Sequence, residues 1–130
     1  MSTPSPYVTG FNKHLGIRIA EWEAGRCVLE LEVEDRHLNR AGVVHGGVIS
    51  TLIDAVTSHA GNFSEDPAAR RRSVTIAMSL QFVSQAKPGR LRAVGTRTGG
   101  GKRVFFARGE IFGEDGALVA CGDMTGRLFN

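Results

Sequence analysis

The sequence predicts an α+β protein in which one long helix packs against a largely antiparallel sheet of about six strands. Two observations support this fold class. Apolar and polar residues alternate in segments on both sides of residues 46–62, as is typical of strands with one buried face. Within residues 46–62 the apolar residues instead recur with helical spacing. A single helix between two blocks of strands favours an α+β arrangement.

Length and composition indicate one ordinary globular domain. The chain has 130 residues, of which 42% are hydrophobic and 22% charged, so we expect a single domain over residues 1–130 with residues 1–10 loosely ordered. No apolar run is long enough for a transmembrane helix, and the first residues lack the basic and apolar segments of a secretory signal. Cys27 and Cys121 have neither metal-ligand nor disulfide-framework spacing, which favours reduced thiols in a cytoplasmic protein. The net charge of +3 suits anionic ligands, and we find no nucleic-acid-binding motif and no metal-binding motif.

Before the long helix, the pattern predicts a short helix and a β-hairpin. The short helix is expected over residues 7–15, and its inward side chains would be Tyr7, Phe11 and Leu15. The two hairpin strands are expected near residues 15–20 and 29–34, with a turn at Ala24-Gly25.

After the long helix, turns containing Gly or Pro separate four predicted strands. These strands cover about residues 74–82, 90–98, 103–112 and 117–128. The clearest alternation lies in the first of them, where we expect the apolar side chains to share one buried face. They are Val74, Ile76, Met78, Leu80 and Phe82.

The long helix has an unusual second face. Its apolar stripe consists of Val48, Ile49, Leu52, Ile53 and Val56. Opposite this stripe lies Asp54, the only formally charged residue between Ala41 and Ser64, among Ser50, Thr51, Thr57 and Ser58. Because a surface helix normally carries charges on its outer face, we infer that another subunit covers this one. The alternative is an exposed face rich in Ser and Thr.

Asp54 and the start of the helix are candidate catalytic groups. A carboxylate on a covered face is costly unless it is paired or used, and no Lys or Arg lies one helical turn away. His45-Gly46-Gly47 stands at the predicted helix start, where free N–H groups carry partial positive charge and suit a developing oxyanion.

The spacing of these groups predicts a shared site. With a rise of about 1.5 Å per residue, Gly46 and Asp54 of one chain lie roughly 12 Å apart along the helix, so they cannot act on the same carbonyl. In a twofold dimer with antiparallel helices, Gly46 of one chain can approach Asp54 of the other.

Two motifs carry a resemblance to a known family. The run Asn39-Arg40-Ala41-Gly42-Val43-Val44-His45-Gly46-Gly47, followed by Thr51-Leu52-Ile53-Asp54, resembles hotdog-fold acyl-CoA thioesterases of the phenylacetic-acid-degradation type. Ser73-Val74-Thr75 and Lys87-Pro88-Gly89 extend the similarity, which covers about residues 11–128. The resemblance implies a curved sheet wrapped around the helix and hydrolysis of acyl-CoA with an aromatic or medium-chain acyl group. It also implies homodimers, which are often paired into tetramers in this family, so both assemblies stay open on the sequence. It implies no cofactor, since coenzyme A is part of the substrate.

The resemblance also implies roles for single residues. Asp54 would be the general base or the nucleophile, the N–H of Gly46 would polarise the thioester carbonyl, and Asn39 and His45 would position water, the leaving group or the loop. We further expect substrate contacts from Gly47, Ser58, Val74 and Thr75. The CoA moiety is expected to bind at Lys87, Gly101, Lys102 and Arg103.

Some alternatives stay open on the sequence. His45 and Asn39 could instead have only structural roles in their loop. The chain could also be a non-catalytic acyl-CoA-binding protein, or a hydratase or dehydratase of the same fold.

Overall fold

The computed structural model describes residues 5–69 and 71–129. Within these residues the chain forms two α-helices and six strands. They are α1 (Gly10–Leu15), β1 (Arg18–Glu23), β2 (Arg26–Glu32), α2 (Gly46–Asn62), β3 (Arg72–Phe82), β4 (Arg90–Gly100), β5 (Val104–Phe112) and β6 (Leu118–Phe129). Two short 3-10 helices lie at Asp35–His37 and Pro67–Ala69.

The strands form one antiparallel sheet in the order β1-β2-β4-β5-β6-β3. The edges are therefore β1 and β3. Helix α2 contacts every strand of the sheet. The predicted α+β arrangement, with six strands around one long helix at residues 46–62, is confirmed.

The core lies between α2 and the sheet. The predicted apolar stripe of α2 is buried as expected. Gly95 on β4 allows the helix to approach closely, because a Cβ atom there would lie 2.3 Å from the carbonyl oxygen of Val56. Cys27 and Cys121 are buried free thiols, and burial raises the pKa of Cys27 to about 12, which makes it a poor nucleophile. No helix within the two described segments is long and apolar enough to cross a membrane.

The N-terminal region differs from the prediction. Helix α1 begins at Gly10 rather than at residue 7, and Gly16 ends it in a left-handed conformation with φ 88°. Leu15 is buried, but Phe11 is 65% exposed, so the prediction that Phe11 packs inward is wrong. A helix of six residues has only one side against the core, and Leu15 occupies it. Residues 1–4 of the region predicted to be loosely ordered lie outside the described residues.

Strand β3 also departs from the predicted alternation. A β-bulge between Thr75 and Ala77 inserts one extra residue opposite β6. Before the bulge Thr75 lies on the helix side of the sheet, and after it Met78 and Leu80 do. Val74 and Ile76 are 52% and 58% exposed, so the prediction of one continuous buried face is wrong.

Candidate active site

The start of α2 leaves one backbone donor free. His45 is the N-cap residue, and its Nδ1 accepts a hydrogen bond of 2.8 Å from the N–H of Gly47. Its carbonyl oxygen accepts from the N–H groups of Val48 and Ile49. Within the described residues, the N–H of Gly46 has no hydrogen-bond partner. A free donor at the positive end of a helix of 17 residues suits an oxygen atom that gains negative charge.

The two glycines at this helix start have different structural roles. A Cβ atom on Gly47 would lie 2.9 Å from Nδ1 of His45, so any larger residue there would displace the capping ring. A Cβ atom on Gly46 would approach only the ring of Phe82, at an ordinary contact distance of 3.5 Å. Neither glycine has a positive φ. Gly46 is therefore not required by the packing of its own chain, and among the described residues only Phe82 borders the space that a Cβ atom would occupy.

Asn39 and His45 both bond to the backbone of their loop. The side-chain oxygen of Asn39 accepts hydrogen bonds from the N–H groups of Ala41 and Val43, at 2.9 and 3.3 Å. The N–H of His45 donates to the carbonyl oxygen of His37, at 2.8 Å. These contacts support the structural roles that the sequence left open for both residues.

Asp54 is half-buried in the middle of α2. Thr75 on β3 donates a hydrogen bond from Oγ1 to Oδ1 of this carboxylate. Nothing in the described part of the chain hydrogen-bonds to Oδ2 or forms an ion pair with Asp54. One oxygen is thus oriented by the protein, while the other can accept a proton or attack a carbonyl carbon. The structure brings Thr75, which was expected to contact substrate, to the carboxylate of Asp54, a contact that the sequence did not predict.

The face of α2 that carries Asp54 includes fewer polar side chains than the sequence predicts. Thr57 was expected beside Asp54, but it is fully buried and its Oγ1 donates to the carbonyl oxygen of Ile53 at 2.7 Å. Its methyl group occupies the space above Gly109 of β5. The expectation that Thr57 lies on the second face is therefore wrong. Ser58, one turn beyond Asp54, is half-buried and remains beside the site.

Val74 and Thr75 lie on opposite faces of the sheet. Thr75 is opposite Gly126 and bonds to Asp54, whereas Val74 is opposite Arg127 and is exposed on the outer face. Neighbouring residues of a strand point to opposite faces. Within one chain, the structure does not bring Val74 to the carboxylate.

The residues expected to bind CoA fall into two groups at opposite ends of α2. Lys87 belongs to the loop that meets the helix start, where the N–H of Val44 donates to the carbonyl oxygen of Ala86. It lines a groove of about 540 Å³ together with Glu114 and Asp115. Gly101, Lys102 and Arg103 form the β4–β5 turn near the other end of the helix.

Arg97 fixes that turn to the end of α2. Its guanidinium donates to the carbonyl oxygen of Gly101 at 2.8 Å and to that of Gly61 at 3.3 Å, and it lies over the ring of Phe105. The sequence pattern does not identify Arg97, because a lone arginine in a weak strand pattern gives no signal of such a role.

Charged residues are distributed unevenly over the sheet. On β1, β2 and β4, Arg18, Arg26, Arg90 and Arg92 form ion pairs with glutamates. Four basic side chains lie close together at the strand ends near the β4–β5 turn. Within residues 5–69 and 71–129, none of them forms an ion pair. They are Arg72, Lys102, Arg103 and Arg127. This end of the molecule is the better candidate for binding phosphate groups.

His59 has a packing role. It stacks edge-on against Trp22 with ring centroids 4.8 Å apart, and the indole N–H donates to its carbonyl oxygen at 2.7 Å. Burial lowers the pKa of His59 to about 4, so the ring is neutral near pH 7.

Comparison with known proteins identifies the family. The thioesterase superfamily matches residues 41–120. Acyl-coenzyme A thioesterase 13 of mouse is 29% identical over 126 residues, which covers 95% of this chain and 88% of the relative. A Pseudomonas aeruginosa protein with the provisional name of an esterase is 34% identical over 87 residues, covering 66% of this chain and 63% of that relative.

Solved structures give the same assignment. Zebrafish thioesterase superfamily member 2 has a TM-score of 0.81 and 29% identity, over 96% of this chain and 88% of that one. A mutant of the phenylacetic acid degradation protein PaaI from Thermus thermophilus has a TM-score of 0.80 and 26% identity, over 92% of this chain and 98% of that one. The predicted hotdog fold is confirmed, and the expectation of a thioester hydrolase is borne out at the level of the family. This chain belongs to the thioesterase superfamily.

Proposed function

We propose that the protein hydrolyses acyl-CoA thioesters to a free acid and CoA, at sites shared between two copies of the chain. One observation carries this proposal. The free N–H of Gly46 and the open Oδ2 of Asp54 are an electrophilic donor and a base on the same helix, eight residues apart.

The shared site follows from the helix geometry. Because α2 is continuous from Gly46 to Asn62, its rise keeps Gly46 and Asp54 of one chain about 12 Å apart. Two antiparallel copies of α2 would bring Gly46 of each chain to Asp54 of the other. The unpaired edge of β3 supports a second copy, since its exposed Val74 and Ile76 are apolar. Exposed Val104, Phe106 and Phe129 on β5 and β6 support pairing of two such dimers.

The chemistry needs few groups. The thioester oxygen would accept a hydrogen bond from Gly46, at the positive end of α2. In one route, Asp54 removes a proton from water, the water oxygen attacks the carbonyl carbon, and the C–S bond breaks to release CoA. In the other, the carboxylate attacks directly, CoA leaves as thiolate, and water hydrolyses the resulting anhydride. Thr75 would orient the carboxylate in both routes, and neither requires a cofactor beyond the CoA of the substrate.

The cations near the β4–β5 turn would hold the CoA phosphates. With Gly46 of one chain opposite Asp54 of the other, the last turns of each α2 extend past the start of the partner's α2, towards the loop that precedes it. The Lys87 loop of one chain would then approach the Gly101–Arg103 turn of its partner, although the two lie far apart within one chain. The likeness to a protein named for phenylacetic acid degradation supports an aromatic acyl group, and a medium-chain group is the other candidate.

The test is release of free thiol from a panel of acyl-CoA thioesters by the wild type and Asp54→Asn. We expect Asp54→Asn to lower kcat by at least about a hundredfold, as for loss of a general base or nucleophile, with the circular dichroism and the mass of the assembly unchanged. Asp123→Asn is the matched control, because Asp123 is an exposed acid on the outer face of β6. Full activity of Asp54→Asn would contradict the catalytic role, and binding without thiol release by the wild type would favour a non-catalytic acyl-CoA-binding protein.

A further inference from the structure

We propose that Phe82 forms the wall of the acyl pocket beside the thioester and selects which acyl groups are accepted. This inference rests on the proposed hydrolysis of acyl-CoA. Phe82 is the last residue of β3 and is 58% exposed, although it lies on the side of the sheet that faces α2.

The bulge in β3 places the ring there. After the bulge, Met78, Leu80 and Phe82 share the helix side of the strand, opposite Met124, Gly122 and Ala120. Met78 and Leu80 pack against the core, but the ring of Phe82 extends beyond it. A large apolar side chain that faces a helix start and yet stays open to solvent is suited to contact a ligand.

The ring borders the open space beside Gly46. Its Cε1 and Cζ atoms lie 3.5 and 3.8 Å from the position of a Cβ atom on Gly46. Outside the neighbouring residues and the backbone of the same helix, no other atom of the described chain lies within 4 Å of that position. A thioester oxygen bonded to the N–H of Gly46 would hold its carbonyl carbon about 4 Å from that nitrogen. The groups attached to this carbon would therefore reach the ring.

The chemistry of the ring favours the acyl side of the substrate. A phenyl ring offers dispersion contacts and no hydrogen-bond partner. The pantetheine arm carries two amides and a hydroxyl group, which lose free energy when they are desolvated without partners. An aromatic acyl group would additionally gain an edge-to-face contact with Phe82.

The experiment compares kcat/KM for phenylacetyl-CoA, hexanoyl-CoA and acetyl-CoA in the wild type, Phe82→Ala and Phe82→Leu. We expect Phe82→Ala to lower kcat/KM for phenylacetyl-CoA by about tenfold more than for acetyl-CoA, because the larger group loses more contact. Phe82→Leu should keep the value for hexanoyl-CoA and still lose the aromatic preference. Phe11→Ala, which removes an exposed phenyl ring from α1, should change none of these ratios.

Three outcomes would overturn the inference while leaving the proposed function intact. The first is an equal change in kcat/KM for all three substrates. The second is a change that affects only inhibition by free CoA, and the third is a changed mass of the assembly with unchanged acyl preference. If the assembly of Phe82→Ala dissociates, the ratios of kcat/KM between substrates in Phe82→Leu test the inference instead. Absence of hydrolysis of every substrate by the wild type would instead overturn the proposed function, and the inference with it.

Discussion

Thr75 donates a hydrogen bond to Oδ1 of Asp54 across the gap between β3 and α2. This contact depends on the β-bulge that directly follows Thr75, because the bulge allows Thr75 and Met78 to face the helix on the same strand. The carboxylate is consequently held by one oxygen and open at the other. A single irregularity in an edge strand therefore shapes the site.

Replacing Thr75 by Val removes the hydroxyl group and keeps the shape of the side chain. We expect kcat to fall by roughly tenfold, because a hydrogen bond to a charged group is lost, while KM changes little. Thr75→Ser should retain most of the activity. Thr96→Val on the exposed face of β4 is the control, and an unchanged kcat in Thr75→Val would show that Asp54 is positioned without Thr75.

His45 is expected to act through the helix start. His45→Ala should lower the free energy of unfolding in urea by about 1 kcal/mol, because the N–H of Gly47 loses its cap. His45→Asn, which supplies another capping oxygen, should restore both stability and turnover. Restored stability with lost turnover would instead reveal a further role of the imidazole ring.

His59 makes stability depend on pH. Its pKa is lowered to about 4 in the folded protein, from 6.5 when unfolded, so the unfolded state binds a proton first as the pH falls. The contribution of neutral His59 to the free energy of unfolding is complete above about pH 6.5. It falls by about 3 kcal/mol as the pH is lowered towards 4. Urea unfolding at both pH values should show this loss in the wild type and in His14→Gln, but a smaller one in His59→Gln. An equal loss in all three proteins would mean that His59 is not responsible.

The cations of the β4–β5 turn should affect binding rather than chemistry. In a Lys102→Ala/Arg103→Ala variant we expect KM for acyl-CoA to rise by about tenfold and kcat to stay within about twofold. The corresponding acyl-pantetheine, which lacks the nucleotide, should be hydrolysed equally by variant and wild type. Arg92→Ala removes an ion-paired cation from β4 and is the control. Equal effects on both substrates would contradict a phosphate-binding role.

The long helix could be predicted to its end residues because its signals are local. Its apolar stripe, the His45-Gly46-Gly47 run at its start and the absence of charge other than Asp54 all lie within the same stretch of sequence. The face predicted for Thr57 is wrong, since tertiary contacts place a residue at the border of a helical stripe, here the contact of Thr57 with Gly109 of β5.

The features that sequence could not predict are mostly tertiary. The bulge in β3 depends on pairing with β6 and leaves the period-two pattern of residues 74–82 unchanged. The same bulge determines that Thr75 meets Asp54 and that Phe82 lies beside Gly46. The interaction of Arg97 with the carbonyl groups of Gly61 and Gly101 joins segments that are remote in sequence.

In the proposed dimer, one active site contains Gly46 of one chain and Asp54 of the other. Gly46→Pro removes the N–H at the first helical position, where proline is tolerated, and the extended conformation of His45, with ψ 136°, suits a following proline. Gly46→Pro and Asp54→Asn should each be inactive alone.

The decisive measurement is the thioesterase activity of the two inactive variants after they are unfolded together and refolded as a mixture. Random pairing makes half of the dimers mixed, and each mixed dimer regains one intact site, so we predict about a quarter of the wild-type activity. If the mixture forms mixed dimers but remains inactive, Gly46 and Asp54 do not meet across the subunits, and the account of a shared site is contradicted.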